Sequence, residues 1–229
     1  MTTTHWLTAG RLPRTCALAC CVLVAGCSAL KPSASSAPPA FYSLDSGRAA
    51  PSPAPSPAPV ARSAGAPTLI VNETQAAAGY DSQRILYVRE PHKLEYFAHS
   101  EWVDPPAHMI SGLIVGALEK SGAFRAVVSA PGSASGELRL ETEVLLLQQE
   151  FTSRPSQVRF ALRAYLVEDG TRRVVATRDF ETFVAAPSED PYGGVQAANA
   201  AVQTVLGQLT DFCAQTAAGW QPPRKAPSR

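Results

Sequence analysis

Residues 157–184 read QVRFALRAYLVEDGTRRVVATRDFETFV, and they contain the clearest β-strand pattern of the chain. In its first half, apolar residues occupy every second position, and arginine or glutamine stands at several of the positions between them. This period of two predicts a β-strand with one buried face and one solvated face. Residues 168–171 (EDGT) contain the Asp-Gly pair of a hairpin turn, so a strand from Arg173 to Val184 is expected to return beside the first. The predicted buried face consists of Val158, Phe160, Leu162, Ala164 and Leu166.

A strand of the same kind precedes this hairpin. Its inward residues are predicted to be Leu138, Leu140, Val144 and Leu146, with Arg139, Glu141 and Glu143 on the other face. Shorter β-type runs lie at 69–71, 85–88 and 93–97, and Glu90-Pro91-His92 is a predicted turn between the last two. Alternation with one charged face favours an antiparallel sheet.

Two helices are predicted, and each begins with an Asp-Pro pair. Asp104 is expected to cap the first helix, with Pro105 at its first position and Gly122 just beyond its end. Gly112 and Gly116 lie four residues apart, a spacing that lets a neighbouring element approach closely. The apolar stripe of this helix consists of Met109, Ile110, Leu113, Ile114, Ala117 and Leu118.

The last helix begins at Asp190-Pro191 and precedes a polar tail at 219–229, which is expected to be disordered. Cys213 falls on its apolar side as a small buried hydrophobe, and Asn199, Gln203 and Gln208 are expected outside. Strands with two such helices predict an α+β domain at residues 67–218, an antiparallel sheet with about two helices packed on one face. The apolar side consists of Val195, Ala198, Val202, Val205, Leu206, Leu209 and Phe212.

Residues 27–66 are rich in Pro, Ala and Ser, and residues 51–59 alternate proline with small residues. Such a composition predicts a disordered, extended tether that does not fold alone. Phe41-Tyr42-Ser43-Leu44 interrupts it and is predicted to be a strand that docks on the domain. If it docks, the tether is residues 28–40 and spans at most about 40 Å; if it does not, the reach roughly triples.

The first 26 residues have the pattern of a lipoprotein signal peptide. Arg11 and Arg14 precede an apolar run, which ends in Val24-Ala25-Gly26-Cys27, a bacterial lipobox. Cleavage between Gly26 and Cys27 is expected, with a diacylglycerol on the Cys27 thiol and an N-acyl chain on its amine. The run is too short for a permanent membrane span. The alternative is an ordinary cleaved signal that happens to contain a cysteine.

Charge and cysteine content exclude several classes of protein. Cleavage before Cys27 removes two arginines and no acid, which leaves 18 Lys and Arg against 19 Asp and Glu. This near-neutral balance gives no case for nucleic-acid binding. Of the five cysteines, only Cys213 and the lipidated Cys27 remain after cleavage, so no intramolecular disulfide is expected and stability must come from a core.

Motifs of catalysis, cofactor binding and metal binding are lacking in the sequence. It contains no G-x-S-x-G, Walker A or H-E-x-x-H, and the histidines at 92, 99 and 108 have no common zinc spacing. The chain is therefore predicted to be a non-enzyme with no bound cofactor or metal. The residue types do suggest an interface, because Tyr87, Tyr96, Phe97 and Trp102 concentrate aromatic area in a short stretch. The alternative is that these rings fill the gap between the sheet and the first helix.

Three stretches of the sequence resemble the ABC-type transport auxiliary lipoproteins, the family of paraquat-inducible protein C. They are residues 80–87 (YDSQRILY), 94–106 (LEYFAHSEWVDPP) and 121–127 (SGAFRAV). Residues 41–44 resemble the first strand of that family. The resemblance covers about residues 41–218, and the proline repeat at 51–59 departs from the family pattern.

The resemblance implies a non-catalytic periplasmic domain that is anchored in the outer membrane by its lipid. Its partners would be an MCE-domain protein, an ABC permease and a cytoplasmic ATPase, which together move lipids or other hydrophobic molecules between the two membranes. A homo-oligomer is also compatible with the family. The competing hypothesis is an envelope assembly or structural lipoprotein unrelated to a transporter.

Overall fold

The computed structural model describes residues 38–45 and 65–222. The predicted signal peptide, Gly26, Cys27, most of the tether and residues 223–229 of the tail lie outside the described residues. The elements are β1 (Ala40–Tyr42), β2 (Thr68–Val71), β3 (Gln75–Ala76), β4 (Arg84–Val88), β5 (Leu94–Trp102), α1 (Pro106–Ser121), β6 (Ala126–Ser129), β7 (Leu138–Glu150), β8 (Gln157–Glu168), β9 (Arg173–Ala185) and α2 (Pro191–Gly219).

The long strand β7 organises one mixed sheet. On one side it pairs with β8, which pairs with β9, and both pairings are antiparallel as predicted. On its other side β2, β3 and β4 attach in succession along its length, all parallel to it. β6 extends the sheet from β2, and β5 followed by β1 extends it from β4. The α+β class with two helices is confirmed, and the parallel pairs make the sheet mixed.

The core lies between the sheet and the two helices. Ile110, Ile114 and Leu118 of α1 are buried against it, as predicted from their spacing. All five predicted inward residues of β8 are buried, and they are Val158, Phe160, Leu162, Ala164 and Leu166. Helix α2 contributes the predicted stripe, and Phe212 contacts Phe180 of β9 edge-on at 5.9 Å between ring centroids.

The predicted inward face of β7 is correct up to Val144 but wrong at Leu146. A β-bulge between Val144 and Leu146 shifts the pairing with β8, so that Leu147, and not Leu146, faces the core. The extra residue reverses the alternation for the rest of the strand. Three consecutive leucines at 145–147 hide the bulge in the sequence, because any of them satisfies an apolar position.

The β8–β9 hairpin also turns differently from the prediction. The loop spans residues 169–172, and the residue with a left-handed backbone is Arg172, at φ 58°. The Asp-Gly pair therefore does not form a two-residue turn, for which both residues need positive φ. Arg139 of β7 donates to Asp169 at 2.7 Å, which holds the loop against the neighbouring strand.

Helix α1 begins one residue later than expected. Pro105 is the N-cap residue and Pro106 the first helical residue, so Asp104 does not cap the helix and instead lies 3.4 Å from Nδ1 of His108. Gly122 ends the helix in the left-handed region, as predicted. The spacing of Gly112 and Gly116 is not used for a close approach, since a Cβ at either glycine would meet nothing within 4 Å.

Helix α2 begins as predicted. The Asp190 carboxylate accepts a hydrogen bond from the Gly193 amide at 2.7 Å, and Pro191 occupies the first turn. The hydrogen bonds from Gly193 and Ser188 hold the pKa of Asp190 below its ordinary value. The helix ends at Gly219, and Trp220 still packs against the core.

The segment Phe41-Tyr42-Ser43-Leu44 lies on the domain. Its strand β1 runs parallel to β5, with Tyr42 beside Trp102, and Leu44 is buried in the core. Phe41 is 58% exposed. The chain is therefore held to the domain at residues 40–45, ahead of the proline-rich run.

Candidate partner-binding surface

The four aromatic residues predicted as an interface do not form one surface. Trp102 is 3% exposed and lies in the core beside Leu44, and Tyr87 is also buried. Phe97 is half-buried, whereas Tyr96 is 50% exposed. The prediction that Trp102 and Tyr87 offer a binding surface is therefore corrected, because their rings complete the interior.

Tyr87 and Phe97 belong to a small aromatic cluster with Phe151. The Tyr87 and Phe97 centroids are 4.5 Å apart, and Phe151 meets Tyr87 edge-on at 5.8 Å. The Arg89 guanidinium covers the cluster, 4.8 Å from the Tyr87 centroid. This cluster closes the end of the sheet where β4 and β7 finish.

Tyr96 points the other way, as the alternation of β5 predicts. It begins a stripe of five residues that crosses the face of the sheet opposite the helices. The register pairs Tyr96 with Leu86, Gln148 with Arg159, and Arg159 with Phe183. β4 and β7 pair in parallel with Tyr87 opposite Gln149, so Leu86 and Gln148, one residue earlier on each strand, lie side by side. These two residues connect the Tyr96 end of the row to the Arg159 end. We call Tyr96, Leu86, Gln148, Arg159 and Phe183 the open-face stripe; Leu86 and Gln148 in its middle are buried, so its accessible parts are Tyr96 at one end and Arg159 and Phe183 at the other.

An exposed aromatic ring under an arginine occurs at each end of the stripe. Arg84 lies 4.2 Å from the centroid of Tyr96, and Arg159 lies 5.5 Å from that of Phe183. Both rings are 50% exposed. Tyrosine and arginine are enriched among the residues that dominate binding energy at protein interfaces, and a guanidinium over a ring adds a cation–π attraction.

Hydrogen bonds and ion pairs fix the middle of the stripe. Tyr80 Oη donates to Gln148 Oε1 at 2.6 Å, and Gln148 Nε2 donates to Glu150 at 2.9 Å. Burial raises the pKa of Tyr80 above its ordinary value of 10.0, so the hydroxyl keeps its proton. Arg159 pairs with Glu181 at 2.7 Å. The surface is therefore preorganised and of mixed charge.

Phe183 and Arg159 were not predicted to belong to the candidate surface. A signal for Phe183 does exist in the sequence, because Phe180 and Phe183 are an odd number of residues apart on one strand. They must therefore face opposite sides of the sheet, and only one of them can join the core. Phe180 is buried, and Phe183 is the exposed one.

The described histidines lie at the surface, and Cys213 is buried. No group of three or more His, Cys, Asp or Glu among them is placed to hold a metal ion. His92 and His99 are exposed, and His108 lies between Asp104 and Glu73 at the surface. Burial raises the pKa of Cys213 to about 12, which suits a packing residue and not a nucleophile.

A family model described as the ABC-type transport auxiliary lipoprotein component matches residues 48–210. The chain belongs to this family. The match includes β2 to β9 and most of α2. The resemblance noted in the sequence is thereby confirmed.

Solved structures share the fold of this chain. Protein XCC0632 from Xanthomonas campestris is 24% identical, with a TM-score of 0.65 over 77% of this chain and 95% of that protein. An uncharacterized protein is 11% identical, with a TM-score of 0.59 over 77% of this chain and 99% of its own. No curated protein matches significantly. Among the helices described for the auxiliary lipoprotein, none combines the length and apolarity of a membrane span.

Proposed function

We propose that this chain is a non-catalytic, outer-membrane-anchored periplasmic subunit of an MCE/ABC-type transport system for lipids or other hydrophobic molecules. Its role there is to dock or stabilise the complex that spans the envelope. The observation that carries the proposal is the family match over residues 48–210. A binding role requires no metal centre, and no group of three or more His, Cys, Asp or Glu among the described residues is placed to hold a metal ion.

The anchor is the lipid on Cys27. A single acyl chain binds membranes reversibly, whereas two or more anchor stably, so the diacylglycerol and N-acyl chains together hold the protein on the bilayer. Cys27→Ser is expected to give a soluble or uncleaved precursor. Normal outer-membrane fractionation of that variant would contradict the lipid anchor.

The residue after the lipidated cysteine influences whether a lipoprotein stays in the inner membrane or is sorted to the outer membrane. Ser28 is not the aspartate that is associated with retention in the inner membrane, so sorting to the outer membrane is expected. Ser28→Asp should keep the lipoprotein in the inner-membrane fraction without changing its lipidation. If Ser28→Asp and the parent chain share one membrane, this sorting argument is wrong.

The open-face stripe is the surface that we assign to the MCE-domain partner. Tyr96→Ala and Phe183→Ala each remove a half-exposed ring and should leave the melting temperature nearly unchanged. Together they should reduce co-purification of the MCE protein at least tenfold. Val174→Ala is the control, since Val174 is 53% exposed near the start of β9, outside the stripe. Undiminished binding by the double variant would place the partner elsewhere.

Trp102→Ala separates a structural ring from a binding ring. Burial of Trp102 in the core predicts a loss of about 3–5 kcal/mol in unfolding free energy. If Trp102→Ala were as stable as the parent but no longer bound the partner, Trp102 would be a binding residue and not a core residue.

A pull-down with the lipidated protein distinguishes a transporter subunit from the alternative envelope assembly or structural lipoprotein. A transporter subunit should recover the MCE protein together with the permease and the ATPase after crosslinking in cells. Recovery of other envelope proteins without any of these three would favour the alternative.

A further inference from the structure

The first strand is fastened to the domain by side chains of α2. Asn199 Oδ1 accepts a hydrogen bond from the Asp45 amide at 2.9 Å, and Asn199 Nδ2 donates to the Ser43 carbonyl at 3.2 Å. One turn later, Gln203 Nε2 donates to the Asp45 carbonyl at 2.9 Å. Both side chains therefore bind the main chain that follows β1, and we call Asn199 and Gln203 the clamp.

Other contacts complete this strand-accepting site. The Val103 amide donates to the Tyr42 carbonyl at 2.8 Å, and the Leu44 amide contacts Met109 Sδ at 3.4 Å. Leu44 is 6% exposed, and Tyr42 meets Tyr192 at 6.3 Å between ring centroids. The site thus binds an extended main chain with one leucine pocket.

We propose that the clamp sets the working length of the membrane tether by holding residues 40–45 on the domain. This proposal rests on the proposed lipid anchor at Cys27. With β1 docked, residues 28–40 link the anchor to the domain and span at most about 40 Å; with β1 released, residues 28–66 span up to about 120 Å. Docking therefore limits how far the domain can stand from the membrane.

The attachment is small enough to be released without unfolding the domain. β1 pairs with β5 at three positions only, whereas β7 and β8 pair at twelve. Phe41 contributes little burial, and Leu44 is the single residue of the segment in the core. Elements with few buried contacts open locally at a lower free-energy cost than the whole domain.

Hydrogen exchange tests the clamp directly. The mature chain (residues 27–229) with Cys27→Ser contains all described residues and serves as the parent. In the double variant Asn199→Ala/Gln203→Ala, amides of residues 43–45 should exchange at least tenfold faster, while β7 and β8 stay as protected as in the parent. Gln208→Ala/Gln215→Ala, on the exposed face of the same helix, is the matched control.

Two results would overturn the clamp. One is unchanged exchange at residues 43–45. The other is faster exchange across β7 and β8 as well, because the two side chains would then support the whole domain instead of one strand. Leu44→Ala is a second variant that should release the same segment and raise exchange at residues 43–45.

Energy transfer tests the tether length in the lipidated protein. Gln208→Cys accepts a donor dye, since Cys213 is buried, and an acceptor lipid is placed in phosphatidylethanolamine/phosphatidylglycerol vesicles. The clamp variant should show less transfer than the parent. Equal transfer, with exchange at residues 43–45 accelerated, would overturn the role in tether length. Failure of the protein to acquire lipid would overturn the proposed anchor, whereas the exchange result would stand.

Discussion

Gly194 in the first turn of α2 packs directly against the side chain of Gln149 at the end of β7, so a Cβ atom at this glycine would overlap Oε1 of Gln149 and force that side chain to move. Gln149 is buried and fixed, because its Nε2 donates to Ser156 Oγ at 2.9 Å. Among the described residues, no hydrogen-bond partner reaches Oε1 itself. The close packing of α2 on the sheet therefore depends on the missing side chain.

Gly194→Ala is expected to lower the free energy of unfolding by about 1–3 kcal/mol through overpacking. Gly207→Ala is the control in the same helix. A Cβ there meets nothing within 4 Å, so the substitution should stabilise by about 0.5–1 kcal/mol. Chemical denaturation measures both. The close contact would be refuted if Gly194→Ala were as stable as Gly207→Ala.

Adjacent residues on the two faces of β8 should lose very different amounts of unfolding free energy when they are truncated to alanine. Phe160→Ala should cost about 3–5 kcal/mol, since Phe160 is 1% exposed in the core. Arg159→Ala should cost less than about 1 kcal/mol, because its ion pair with Glu181 is solvent-exposed and screened. Unfolding curves in urea compare them, and costs in the reverse order would mean that the register is shifted by one residue.

The bulge in β7 is testable with two leucines. Leu147→Ala removes a buried side chain and should cost about 2–5 kcal/mol. Leu146→Ala, on the other face beyond the bulge, should cost clearly less. A strand with uninterrupted alternation would give the larger loss at Leu146, so the ranking of the two melting temperatures decides between the bulged and the regular strand.

Stability should fall in acid as Asp190 is protonated. Its folded-state pKa lies below the ordinary value of 3.8, so its stabilising contribution is complete above about pH 4 and disappears as the pH falls through the folded pKa. Asp190→Asn keeps a capping oxygen but cannot titrate, and its melting temperature should fall less steeply between about pH 4 and pH 2. Asp211→Asn, an exposed acid of the same helix, is the control; identical slopes for Asp190→Asn and the parent would contradict the assignment.

The sequence alone predicts an element correctly where a local pattern is compatible with only one structure. Strict alternation in β8 gave its buried face, and the Asp190-Pro191 pair gave the start of α2, because side-chain direction and capping depend only on neighbours within a few residues. The odd separation of Tyr96 and Phe97 likewise placed them on opposite faces. The lipobox is a local pattern too, and it predicts Cys27 as the lipidation site from the residues that precede it.

Contacts between residues that are far apart in the sequence could be read only from the packed structure, because several residues of the same type satisfy the local pattern equally well. The choice of Leu147 over Leu146 depends on a bulge that is set by pairing with β8. Trp102 is buried where Tyr42 of β1 pairs with it and where Ala198 of α2 lines the same small cavity, and both of these residues are far away along the chain. Asn199 and Gln203 look like solvent-facing positions of a helix, yet they hold residues 43–45 at a separation of more than 150 residues. Such contacts depend on how the elements pack, and no local pattern encodes them.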